Sequence, residues 1–143
     1  MKIYESRSEN DTLNIAQKFA QNLRGGDVVA YRGGMGMGKT VFTRGCVKAL
    51  GNESDVSSPT FAIVNDYGGR INLYHFDMYR VESWDSLYST GFFDYLNENS
   101  ILFIEWSENI ENVLPDNTVI VEFSRGEDND YRKICISGGD GRW

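Results

Sequence analysis

A chain of 143 residues with 14 Lys and Arg against 21 Asp and Glu carries a formal charge of −7 and an isoelectric point near 4.7. The length suits one domain with its own core, and the acidity excludes a chain that grips a nucleic-acid backbone unaided. Cys46 and Cys135 form no metal or CxxC pattern and read as reduced thiols. The N-terminus lacks the apolar core of a signal peptide and no run approaches the ~20 apolar residues of a membrane span, so the expected location is cytoplasmic.

The first residues read as extended. Leu13, Ala16, Phe19, Ala20 and Leu23 share one helical face, predicting a helix over 12–23 capped by Asn10 or Asp11 and ended by Arg24-Gly25-Gly26. Residues 27–31 read as a short buried strand. Gly33-Gly34-Met35-Gly36-Met37-Gly38-Lys39-Thr40 follows and fits G-x-x-x-x-G-K-[ST], the phosphate-binding loop. Glycines let successive backbone N–H groups wrap an anion, and the next helix presents its positive dipole end. Lys39 reaches the β- and γ-phosphates and the Thr40 hydroxyl suits Mg²⁺. The helix is predicted over 39–50, with Phe42, Cys46, Val47 and Leu50 on its apolar face and Gly51 as its stop.

Ser57-Ser58-Pro59-Thr60 reads as a turn. Residues 61–67 and 70–79 read as a hairpin across Gly68-Gly69, and 83–96 as a helix interrupted at Gly91. Ile101-Leu102-Phe103-Ile104 suits a strand buried on both faces. After a turn at 115–117, residues 118–124 and 131–137 form a second hairpin, and 138–143 read as a loose tail. The expectation is an α/β domain over 1–137, with antiparallel hairpin strands added to a parallel core in a mixed sheet.

Three further clusters carry chemistry. Glu105 directly follows the apolar strand, the place for a carboxylate that shares Mg²⁺ with Thr40. In the extended run His75-Phe76-Asp77-Met78-Tyr79-Arg80, His75, Asp77 and Tyr79 face one way and Phe76, Met78 and Arg80 the other. Asp77 suits the orientation of an attacking water or a metal-bound water. His75 is either a hydrogen-bonded structural imidazole or a catalytic one. Arg80 either stabilises phosphate charge or pairs with a carboxylate. A hydroxyl in the Ser57–Phe61 turn, Thr60 among them, has the setting of a γ-phosphate sensor. Trp106 is expected to point away from Glu105, into the core or onto a pocket wall or partner surface. No Asn-Lys-x-Asp is present, which counts against a GTPase. The absence of an arginine-dense lid counts against a small-molecule kinase.

These elements in this order resemble the bacterial TsaE family. The resemblance runs from about Met1 to about Ser137 and rests on Ser58-Pro59-Thr60-Phe61, His75-Phe76-Asp77-Met78-Tyr79-Arg80, Glu105-Trp106 and the stretch Thr90-Gly91-Phe92-Phe93-Asp94-Tyr95, besides the glycine loop. It departs from the family pattern at Gly34, Met37 and Val41, none of which removes a phosphate or metal ligand. The resemblance implies a P-loop NTPase-type three-layer fold and an ATPase that binds Mg²⁺ and ATP or ADP. Its role would be in threonylcarbamoyladenosine modification of tRNA, acting on a complex of TsaB and TsaD and meeting tRNA only through them. Met35, Gly36, Met37, Gly38, Lys39 and Thr40 would carry the phosphates, and Thr40 with Glu105 the metal. Thr60 and Asp77 would join Lys39 in catalysis. Trp106 would sit beside the metal carboxylate, and Glu9 and Thr12 near the adenosine. A small-molecule phosphotransferase and a nucleotide-gated binding module are the alternative readings.

Overall fold

The structure, a computed structural model, describes residues 1–34, 36–52, 64–68, 71–128 and 130–143. Met35 and the turn holding Ser57, Ser58, Pro59, Thr60 and Phe61 therefore lie outside the described residues.

The chain opens with β1 (Lys2–Ser6) and α1 (Glu9–Ala20). The helix starts earlier than the apolar spacing predicts, because Ser8, not Asn10 or Asp11, is its cap. Ser8 Oγ accepts from the Asp11 N–H at 3.0 Å, and the Asp11 carboxylate accepts in return from the Arg7 N–H. This reciprocal arrangement satisfies N–H groups that have no partner inside the helix. β2 (Val28–Arg32) leads through the glycine loop into α2 (Lys39–Ala49), and Gly51 turns away at φ +82°. β3 (Val64–Gly68) and β4 (Asn72–Asp77) follow.

α3 (Trp84–Ser89) stops at Gly91, whose φ of +75° breaks the helix as its sequence position suggested, and a 3-10 turn (Phe92–Tyr95) continues. β5 (Ser100–Glu105) is buried at all six positions. After a second 3-10 segment (Ser107–Val113) come β6 (Val119–Arg125) and β7 (Arg132–Gly138).

The strands make one seven-stranded sheet in the order β1-β7-β6-β2-β5-β4-β3. Its centre, β6-β2-β5-β4, is parallel, and β3, β7 and β1 are added antiparallel. This is the expected α/β fold, with helices on both faces of a mixed sheet. α1 and α2 cover one face, where Val29, Tyr31, Phe103 and Val121 meet Phe19, Phe42 and Cys46. The two helices approach closely because residue 45 is glycine. A Cβ there would lie 2.7 Å from that of Ala16. α3 and the 3-10 segments cover the other face, where Phe76, Leu102 and Ile104 meet Leu87, Phe92 and Ile110. Burying side chains of this size stabilises the fold by about 1.5–3 kcal/mol each.

Cys46 is fully buried, burial pushes its thiol well above the ordinary range, and both cysteines are free. Residues 138–143, expected as a loose tail, make contacts with the domain. The Trp143 ring packs 5.0 Å from Phe19, and Arg142 Nη2 donates to the buried Asp27 carboxylate at 2.7 Å. Among the described residues no helix is long and apolar enough to cross a membrane.

Candidate functional site

Parallel strands put their carboxyl ends on one edge, and ligands of such sheets bind outside that edge. β2, β5 and β4 end there together, and a cavity of about 770 Å³ opens beyond them. Its lining joins residues that are far apart in the chain: Gly36, Met37, Gly38, Lys39 and Thr40 from the loop and first turn of α2, and Asp77, Tyr79, Glu105 and Trp106 from the ends of β4 and β5.

The loop side is built by local rules. Gly33, Gly36 and Gly38 hold φ values of +123°, +73° and +100°, conformations that cost little only without a Cβ. Lys39 Nζ donates to the Gly33 carbonyl at 2.7 Å, which folds the side chain back over the loop. The first turn of α2 is tied to β2 through Thr43, whose Oγ1 lies 2.8 Å from the Lys39 carbonyl and 2.7 Å from the Tyr31 hydroxyl. Burial drives the Tyr31 hydroxyl well above its ordinary titration range, so it stays protonated as part of this tether.

The opposite wall is set by tertiary pairing. Asp77 and Glu105 are register partners on adjacent parallel strands, so both carboxylates stand on the α2 face. They are held differently. Asp77 is half-exposed and caps its own chain by accepting from the Tyr79 N–H at 2.9 Å. Glu105 is only 7% exposed, and its Oε2 lies 2.7 Å from His75 Nε2. His75 is itself fully buried, and its Nδ1 lies 2.8 Å from the Tyr67 hydroxyl. A line of side chains, Tyr67 to His75 to Glu105, thus runs beneath the sheet end and fixes one oxygen of the carboxylate. Such rear support orients a ligating group. The hydroxyl of Thr40 and the carboxylates of Glu105 and Asp77 are all hard oxygen donors, the chemistry of a Mg²⁺ site completed by phosphates and water.

Trp106, expected to point away from Glu105 into the core or onto a pocket wall, packs against the far-face cluster that holds Phe76, Leu102 and Ile104 and also lines the cavity. It leaves β5 at φ +58°, the one described non-glycine residue with positive φ. The indole turns onto the cavity, 4.9 Å from Tyr79 and with Lys39 Nζ 5.8 Å from its centre. A non-glycine residue in this region costs about 1–2 kcal/mol, a strain found at functional sites.

Glu9 and Thr12 do not line the main cavity. They line a smaller recess of about 180 Å³ across the glycine loop, with Ser6, Gly38 and Arg132. There the Thr12 hydroxyl lies 2.7 Å from that of Ser6, and Glu9 pairs with Arg44 of α2. Sequence reasoning missed Tyr79 as a wall, Tyr67 as the partner of His75, and Arg132, whose guanidinium donates to the Gly36 carbonyl. Strand alternation placed Tyr79 on the correct side. Nothing in the chain order links Tyr67 or Arg132 to the site.

Comparison with known proteins bears on this geometry. The chain is 40% identical over 130 residues to the tRNA threonylcarbamoyladenosine biosynthesis protein TsaE of Rickettsia typhi, covering 90% of this chain and 88% of that one. It is 35% identical over 146 aligned positions to the Bacillus subtilis protein of the same name, covering 100% and 90%. The crystal structure of Bacillus subtilis YdiB superposes with a TM-score of 0.78 at 29% identity, across 99% of this chain and 88% of that one. The profile described as "Threonylcarbamoyl adenosine biosynthesis protein TsaE" matches residues 6–134, and the chain belongs to that family.

Proposed function

We propose that this chain is a Mg²⁺-dependent ATPase that supports tRNA threonylcarbamoyladenosine synthesis by acting on a complex of TsaB and TsaD. The observation that carries the reading is the single cavity bounded by the glycine loop, Lys39 and Thr40 on one side and by Asp77 and Glu105 on the other. A polyphosphate is a ligand for which both walls are suited. Loop N–H groups and Lys39 bind its oxygens, while Thr40 and Glu105 hold the metal. When bound there, Mg²⁺ would supply neutralisation of phosphate charge.

The chain's own groups supply the rest. His75 holds the Glu105 carboxylate in place. Asp77, at the mouth, where one carboxylate oxygen accepts from the Tyr79 N–H, orients the water. Trp106 excludes solvent from the cavity. Thr60 belongs to the loop proposed to sense the γ-phosphate, and Met35 to the phosphate loop. The recess at Glu9 and Thr12 is the proposed adenosine side. An acidic chain fits a protein partner, so tRNA is met through TsaB and TsaD.

The test is ATP hydrolysis by the purified chain with Mg²⁺, alone and with purified TsaB and TsaD, scoring tRNA modification in parallel. Slow hydrolysis alone, stimulated by the pair and accompanied by repeated modification cycles, is the expected result. Hydrolysis indifferent to the pair, with modification unchanged, overturns the reading.

A further inference from the structure

The charge of this chain is not spread evenly. From Val81 to Ser124 there are nine carboxylates and no lysine or arginine, whereas the remaining residues hold twelve carboxylates and all fourteen cations. That acidic stretch contains α3 and both 3-10 segments, which cover the sheet face opposite α1 and α2.

The same face carries exposed aromatic surface. Trp84 is 64% exposed and Tyr88 74%, among only five large hydrophobic residues that are exposed in the described chain. Both are braced by Phe93, with ring centres at 6.0 Å and 5.9 Å, above the buried anchors Leu87 and Phe92. Beside them runs a groove of about 370 Å³ between the start of α3 and the segment Ser107–Val113. Its lining combines the buried Val81, Leu87 and Ile110 with the exposed Trp84 and the carboxylates of Glu82, Glu108 and Glu111, the last paired with Arg32.

We infer that this groove is a docking site for a basic protein surface, receiving a lysine or arginine side chain of the partner. The chemistry is specific. A long cationic side chain lays its methylene stem on an apolar floor and its charged head among carboxylates, and the Trp84 face adds a cation–π contact. Aromatic anchors in a depleted-lysine setting are the residue types that dominate protein interfaces. A second copy of this chain would bring carboxylates against carboxylates, and RNA would bring phosphates. The groove also adjoins the cavity. Asn109, on its wall, donates to the Met78 carbonyl at 2.8 Å, in the turn between Asp77 and Val81. A partner seated here therefore meets Asn109, which is bonded to the turn that follows β4.

The assignment rests on the partner reading above, and the experiment separates the two. Binding of wild type, Trp84→Ala and Glu82→Lys/Glu108→Lys to the purified TsaB–TsaD pair is measured by calorimetry at 50 and 500 mM NaCl. Melting curves and ATP affinity report on folding of the variants. Amide exchange of the wild-type chain is read with and without the pair. The expected results are at least about tenfold weaker binding for each variant at low salt, weaker wild-type binding at high salt, and protection of residues 81–96 and 107–113. Wild-type affinity in both variants, or protection confined to other elements, overturns the groove while leaving the partner reading standing. A wild-type chain that binds no pair at either salt overturns both. A dimer in sedimentation that Trp84→Ala dissolves assigns the face to a second copy and also overturns the inference.

Discussion

The glycine loop and the turn after β5 face each other across one cavity, and both use left-handed backbone, but they reach it by different means. The loop does so with glycines, at Gly33, Gly36 and Gly38. The turn does so with a tryptophan at φ +58°. In the loop the conformation comes at little cost, since no Cβ opposes it. At Trp106 the surrounding structure holds a bulky residue against its preference, and the result is an indole that both packs on the far-face core and walls the cavity. One wall is encoded locally, the other by tertiary enforcement, and substitutions on the two walls should behave differently.

The largest effect is expected at Gly33. A Cβ there would lie 2.6 Å from the Phe123 carbonyl oxygen, and φ is +123°. Gly33→Ala should therefore lower stability by about 3 kcal/mol, a fall of roughly 10 °C in melting temperature. Gly34 has open space around it and no such backbone. Gly34→Ala should stay within about 0.5 kcal/mol of wild type. Equal melting temperatures for the two variants would show that the loop is not held in this form.

Lys39→Ala comes next. It removes a charge-assisted contact to phosphate worth about 1.5–3 kcal/mol, so kcat/KM for ATP should fall at least tenfold. Because Lys39 donates to Gly33 within the loop, a smaller loss of stability should accompany it. Unchanged ATP kinetics would remove the phosphate role from this wall.

How legible each wall was in the sequence follows from the same contrast. Gly33 to Thr40 announces itself, because a phosphate cradle needs those residue types at consecutive positions. The burial of β5 was equally plain from Ile101 to Ile104, as an apolar run without alternation marks a central parallel strand. Glu105 and Asp77 were picked out singly as strand-end carboxylates. Their pairing depended on β4 lying next to β5, a neighbour relation that no local pattern carries. The start of α1 was misplaced because the apolar spacing begins after the first turn, while the cap is Ser8. Of the two places left open for Trp106, core and pocket wall, the ring takes both, because it leaves the strand at φ +58°.

His75 belongs to the part that sequence left open between a structural and a catalytic role. It touches Glu105 and Tyr67 and lies beneath the cavity lining, so it acts as a positioning residue. His75→Ala leaves a buried carboxylate oxygen and a phenol without this partner. The half-saturating Mg²⁺ concentration for ATP hydrolysis should rise about tenfold. A variant that melts earlier but keeps the wild-type Mg²⁺ dependence would reduce His75 to packing alone.

The smallest effect is the most diagnostic of the contrast between the walls. If the backbone at Trp106 is left-handed, removing the indole in two ways should give two stabilities. Trp106→Ala retains a Cβ at φ +58°, whereas Trp106→Gly does not, and the glycine variant should be the more stable by about 1 kcal/mol, or 2–4 °C in melting temperature at roughly this chain length. This reverses the usual order, in which alanine outlasts glycine by reducing the freedom of the unfolded chain. Both variants lose the ring that stands over Lys39, so both should bind nucleotide more weakly and to the same degree. Equal melting temperatures would mean that the turn relaxes once the indole is gone, and that the ring itself, packed on Tyr79, is what keeps the backbone in its unfavourable form.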